Sequence, residues 1–197
     1  MPIIRVYCPE DALDEAAKAK LAQHLTDAMI AMEGGANTWG GRAFAWVLFI
    51  SLKPEDWWVG GRPDNHFVYP PGRFLVHVTI PEGYMSAQHK REVHASVNAA
   101  VMAATGSADE PDAGRSILVV IDEVAEGNWG AAGRTISLNA IAGTVGLSRD
   151  GERFAWMQAY FAAKRRQFEA AGYPPDVGGL MEPETAGSQQ WGGEIAR

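Results

Sequence analysis

Pro2 stands directly behind the initiator methionine. If Met1 is trimmed, its ring nitrogen becomes a secondary amine at the chain terminus, able to act as a base or a nucleophile. A plain structural reading stands beside this one. Ile4 and Val6 alternate with Arg5 and Tyr7, and proline is tolerated at the first residue of a strand. Arg73 and Arg115, each at or just before a strand-like stretch, are cations that can bind the carboxylate of a substrate. Tyr84 can donate a hydrogen bond to an enolate or carboxylate. His77, inside the alternating run RFLVHVTI, can line a polar pocket or sit satisfied in the interior. His89 and His94 are five residues apart, which does not put them on the same face of a helix. With no second ligand cluster and no phosphate-loop pattern, neither metal, nucleotide nor other cofactor is expected. The lone Cys8 reads as a small buried hydrophobe.

The composition narrows the classes of partner. The chain has 197 residues, 47% of them hydrophobic, and a net charge of −7. That is enough for a sizeable core, and it gives no basic footprint for nucleic acid or for an anionic membrane. The longest apolar run, AFAWVLFI at 43–50, is far short of the roughly 20 residues needed to span a bilayer. A single cysteine permits no internal disulfide, and the start lacks the basic flank and apolar core of a secretory signal. A cytoplasmic location is the expectation.

The elements that must position these residues come from an internal repeat. At a constant offset of 72, Pro9 matches Pro81, Glu10 matches Glu82, Trp57 matches Trp129, Gly61 matches Gly133 and Arg62 matches Arg134. Each unit, approximately 2–62 and 74–134, reads as strand, helix, strand and hairpin. Ala17, Leu21, Leu25, Ala28 and Met32 make a helical stripe in the first unit, as do Val93, Val97, Val101 and Ala104 in the second. A helix of this length is the right-handed crossover that parallel strands need. The expected fold is therefore α+β: tandem β-α-β repeats forming a four-stranded sheet with two helices on one face. The apolar second strands WVLFI and ILVVI imply that the opposite face is covered too, by another copy of the chain or by the C-terminal extension. That extension, 148–197, follows a 1–147 domain. It reads as a helix striped by Phe154, Met157, Phe161, Lys164 and Phe168, stopped at Gly172, and then a Pro- and Gly-rich tail.

The proline after Met1, the duplication and the closing stretch EVAEGNWGAAGR resemble the tautomerase superfamily. The likeness covers roughly residues 2–146. In its two-unit length the chain is more like the fused members, such as cis-3-chloroacrylic acid dehalogenase, malonate semialdehyde decarboxylase and macrophage migration inhibitory factor. The resemblance implies a homotrimer in which Pro2 is the catalytic general base and acid, without cofactor, on a small enol or keto acid. It also implies that Trp129 forms an apolar wall near the proline. An α-amino group titrating at about 7.7–8.0 when unperturbed, and lower near a cation or when buried, suits proton transfer beside a carbonyl. The family's arginine positions hold Ala12 and Tyr84 in the two turns and Trp46 and Leu118 in the second strands, and Met29 falls where the dehalogenases carry histidine. The missing histidine counts against hydrolytic dehalogenation as those enzymes perform it, and the missing arginines favour a non-catalytic trimeric scaffold or binding protein. A hydratase, dehalogenase or decarboxylase of a short-chain acid on the same fold is the other alternative. Arg62 and Arg134, kept in both units, read as structural.

Overall fold

The computed structural model describes residues 2–34 and 37–181. The repeat emerges as two sets of strand, helix and strand in the same order. Strand β1 (Ile3–Pro9), helix α1 (Glu15–Met32) and strand β2 (Trp46–Leu52) make the first unit. Strand β3 (Phe74–Pro81), helix α3 (Ala87–Thr105) and strand β4 (Ile117–Val124) make the second. A short helix α2 (Trp39–Ala43) leads into β2. Both long helices start where a side chain satisfies their first free N–H groups. The Asp14 carboxylate accepts from Ala17 N at 2.7 Å. Ser86 and His89 close a reciprocal capping box on α3. Gly106 ends α3 in the left-handed region, at φ 70°, where a residue without Cβ is unstrained.

The sheet order is β2-β1-β3-β4. β1 runs parallel to β2 and β3 parallel to β4, while the two units meet antiparallel through β1 and β3. Ile4, Val6 and Cys8 on β1 and Val76, Val78 and Ile80 on β3 face the helices and are fully buried. They pack on Leu21, Leu25 and Met29 of α1 and Val93, Val97 and Val101 of α3. Met29, rather than Ala28, completes the buried stripe of α1, because it lies four residues beyond Leu25 and a 3.6-residue period carries the inward face there.

The other face of the sheet is open within the chain. Register aligns Leu48, Arg5, His77 and Val120 across the four strands, and Ile50, Tyr7, Leu75 and Leu118 beside them. Leu118 is 63% exposed and Trp46 60%, so the described part of the extension, 148–181, does not cover this face.

It wraps one end of the sheet instead. Helix α4 (Leu138–Thr144) and helix α5 (Glu152–Ala170) follow a two-stranded hairpin, β5 (Gly130–Ala131) and β6 (Arg134–Thr135). Leu138, Ile141, Phe154, Met157 and Phe161 form a second core with Tyr84, Trp129 and Ile136, and Ile3, Phe44 and Val124 pack against it. The predicted stripe of α5 is the docking face: Phe154, Met157 and Phe161 are buried, Lys164 pairs with Glu82, and Gly172 follows the helix at φ 72°. Of the tail, residues 182–197 lie outside the described part. No described helix is long and apolar enough to cross a membrane.

Candidate active site at the Pro2 end of the sheet

Pro2 is buried and its carbonyl accepts from Trp46 N at 3.0 Å. The ring thus begins the β1–β2 pairing without owing the sheet a donor, as a strand-start proline should. Antiparallel pairing of Ile3 with Thr79 brings Pro2 beside the end of β3 and the turn Glu82–Gly83–Tyr84. The parallel pairing of Pro81 with Val124 brings the end of β4 and Trp129 to the same end. The sheet therefore gathers Pro2, Tyr84 and Trp129 at one end, where α4 and α5 pack over Tyr84 and Trp129.

Tyr84 is 1% exposed and Trp129 9%. Among the described residues, neither the Tyr84 hydroxyl nor the Trp129 indole N–H finds a hydrogen-bond partner. Burial, and next the negative charge of Glu33, push the Tyr84 phenol far above its ordinary value, against the opposing influence of Arg153. The phenol is a neutral donor at any physiological pH. Arg153, near the start of α5, donates to the Tyr84 carbonyl at 3.0 Å. Burial lowers its pKa, against the pull of Tyr84, Glu33 and Glu92. Burial, followed by Arg153, also lowers the pKa of His89.

The turn itself is latched to α5. Glu82 takes a 2.6 Å hydrogen bond from the Tyr160 hydroxyl and a 2.5 Å ion pair from Lys164. Burial raises the Glu82 pKa, but the Lys164 and Tyr160 bonds outweigh it and hold the carboxyl below its ordinary value. Gly83 lies against α5 so closely that a Cβ there would come within 2.7 Å of Tyr160 and 2.8 Å of Phe161. Buried Glu126 accepts from the first N–H of α4, Leu138 N, at 2.8 Å, a favourable place for a carboxylate. Hairpin residues 127–135, Trp129 among them, line a shallow groove of about 580 Å³.

The remaining candidates sit elsewhere. Arg73 is 7% exposed, and its guanidinium is taken up by the carbonyls of Trp57 and Pro63 and by Asn65 Oδ1 at 3.0 Å. It clamps the first unit's loop. Arg115 is paired with Asp112 at 3.0 Å and lies over the Tyr69 ring at 4.4 Å. Both stand at the end of the sheet away from Pro2, about 20 Å along β1 at roughly 3.3 Å per residue. Within one chain neither meets the proline. His77 faces the open side, with Nδ1 2.7 Å from Asp122 Oδ2 and its ring edge-on to Tyr7. Sequence reasoning did not single out Arg153, Glu82, Glu126 or Arg5, which donates to Thr79 Oγ1 at 3.0 Å. The matched pair Glu10 and Glu82 was the available signal for Glu82, but a repeat does not reveal which copy meets α5.

The tandem β-α-β sheet is similar in fold to solved structures of fused 4-OT and of macrophage migration inhibitory factor. Residues 75–139, essentially the second unit through the start of α4, match the family model for tautomerase enzymes. The chain resembles the fused, two-unit members in particular. A native fused 4-OT structure superposes with TM-score 0.55 at 22% identity, covering 68% of this chain and 94% of that one. N1, a member of the cis-3-chloroacrylic acid dehalogenase family, gives 0.55 at 18% identity over 86% and 99%. That share of this chain exceeds residues 1–147, so the alignment reaches into the C-terminal extension. The macrophage migration inhibitory factor of Toxoplasma gondii gives 0.52 at 14% identity over 68% and 99%. No curated protein sequence matches the chain.

Proposed function

We propose that the protein is a cofactor-independent tautomerase in which Pro2, freed of Met1, is the general base and acid acting on a small enol or keto acid. The observation that carries this reading is the placement of Pro2: buried, at the start of β1, at the end of the sheet where Tyr84, Trp129 and the α4–α5 cover converge. An amine removed from water disfavours its ammonium form and is poised for proton transfer near neutrality. The base takes the enol proton and returns it to carbon, so the amine ends each turnover as it began. The tautomerase match over residues 75–139 supports the chemistry class.

A homotrimer is part of the proposal. The open face presents Leu48, Leu118 and Val120 to solvent, an apolar patch that a closed symmetric assembly would bury. One of the similar fused 4-OT structures is a symmetric trimer. In such an assembly Arg73 or Arg115 reaches a Pro2 site only from a neighbouring copy.

The test is ketonisation of phenylenolpyruvate by the purified protein beside Pro2→Ala, with Met1 removal checked by intact mass. Activity at least about 100-fold lower in the variant is expected for loss of a general base. Equal activity in the two proteins removes Pro2 from the mechanism. A correctly trimmed but inactive wild type favours the second reading, a non-catalytic scaffold, which the Ala12, Tyr84, Trp46 and Leu118 replacements of the family's arginines support.

A further inference from the structure

Burying a hydrogen-bond donor without an acceptor costs about 1–3 kcal/mol, and this protein does so twice in one cluster, at Tyr84 and at Trp129. The repeat supplies an internal control. The residue matching Tyr84 in the first unit is Ala12, which packs against the main core without any polar group. The turn therefore folds without a hydroxyl, and its presence in the second unit is not a demand of the fold. Two features distinguish that second turn: it lies at the Pro2 end, and it is covered by α4 and α5.

We propose that Tyr84 Oη–H and Trp129 Nε1–H are neutral donors of an oxygen-acceptor subsite at the Pro2 end, which takes the carbonyl or enolate oxygen of a keto acid with an apolar body. This rests on the proposed function for the site's location and deepens it by naming what the site recognises. A neutral donor suits an oxygen whose charge changes during reaction: it bonds the carbonyl and strengthens as the enolate forms. Leu138, Ile141, Phe154 and Met157 belong to the same apolar cluster, a setting that suits an alkyl or aryl group, while Arg153 and Glu33 are the charged groups that act on Tyr84. Trp129 also lines the open groove of hairpin residues 127–135.

The experiment compares calorimetric binding of phenylpyruvate and 3-phenylpropanoate, which differ in the keto oxygen, to wild type, Tyr84→Phe and Trp129→Phe. Wild type should prefer phenylpyruvate by about tenfold, and Tyr84→Phe should lose most of that preference, as removal of one hydrogen bond to a ligand requires. Trp129→Phe should lose part of it. The melting temperature of unliganded Tyr84→Phe should equal or exceed that of wild type, because the hydroxyl has no partner to lose. A lower melting temperature with an unchanged preference would identify an internal water as the hydroxyl's partner and overturn the proposal. Equal affinities of wild type for the two acids, or binding of neither, also overturn it. Repeating the titrations in Pro2→Ala separates the two readings. A preference that persists there stands even if Pro2 proves not to be the base, and its absence in wild type sinks the subsite alone.

Discussion

Single residues decide how tightly the two hairpins turn. Gly60 and Gly61 lie at φ 59° and 75°, and the matching Ala132 and Gly133 at 50° and 71°. Two successive left-handed residues make the turn whose twist suits a two-residue hairpin. Ala132 carries a Cβ in a region that costs an L-residue about 1–2 kcal/mol. Ala132→Gly removes that strain at some cost in chain entropy, so a net gain of up to about 1 kcal/mol is expected. Thermal unfolding should then shift upward by roughly 2–4 °C. An unchanged or lower midpoint would show that the Ala132 methyl contributes packing that the turn needs. The same scale governs Pro2 and Tyr84: each is compatible with an ordinary structural role, and the chemical role proposed for each rests on its position at one end of the sheet.

At the scale of elements, α5 is held to the β3–α3 turn by apolar packing and by the Glu82 latch. The Glu82–Lys164 pair is nearly buried, with side chains 16% and 15% exposed. Lys164→Met keeps most of the stem but leaves a shielded carboxylate short of its cation. Loss of a charged, shielded hydrogen bond costs about 2 kcal/mol, which unfolding at pH 7 should register. The sign with pH follows from the direction of the shift. Glu82 ionises more readily folded than unfolded, so its contribution is complete above the ordinary value of 4.5 and is lost as pH falls through the lower folded value. Stability measured from pH 5 downward should fall more steeply in wild type than in Lys164→Met. Parallel curves would mean the pair adds nothing beyond the packing of Phe154, Met157 and Phe161.

For the whole molecule, the question is what covers the open face. The first core occupies one side of the sheet and the extension closes one end, leaving Trp46, Leu48, Leu118 and Val120 in solvent. Wild type should scatter light as a trimer. Leu118→Glu places a charge on the most exposed of the four and should shift the protein to monomer at micromolar concentration, since burying an unpaired carboxylate costs several kcal/mol. A trimer that survives this substitution assembles through another surface.

The sequence by itself determined the two β-α-β units, the helices and the pairing of strands within each unit. These follow from local periodicity and from a 72-residue repeat, both written in residue order. The stripe of α5 was legible for the same reason. The tertiary structure alone decided what that stripe docks against, because a helical period defines a face and not its partner. It also separated Arg73 and Arg115 from the Pro2 end: two strands that meet antiparallel put their starts at opposite ends of the sheet, a relation no spacing along the chain expresses. Likewise, whether Tyr84 and Trp129 find hydrogen-bond partners depends on everything packed around them, so their unused donors became visible only once α4 and α5 had closed over the sheet.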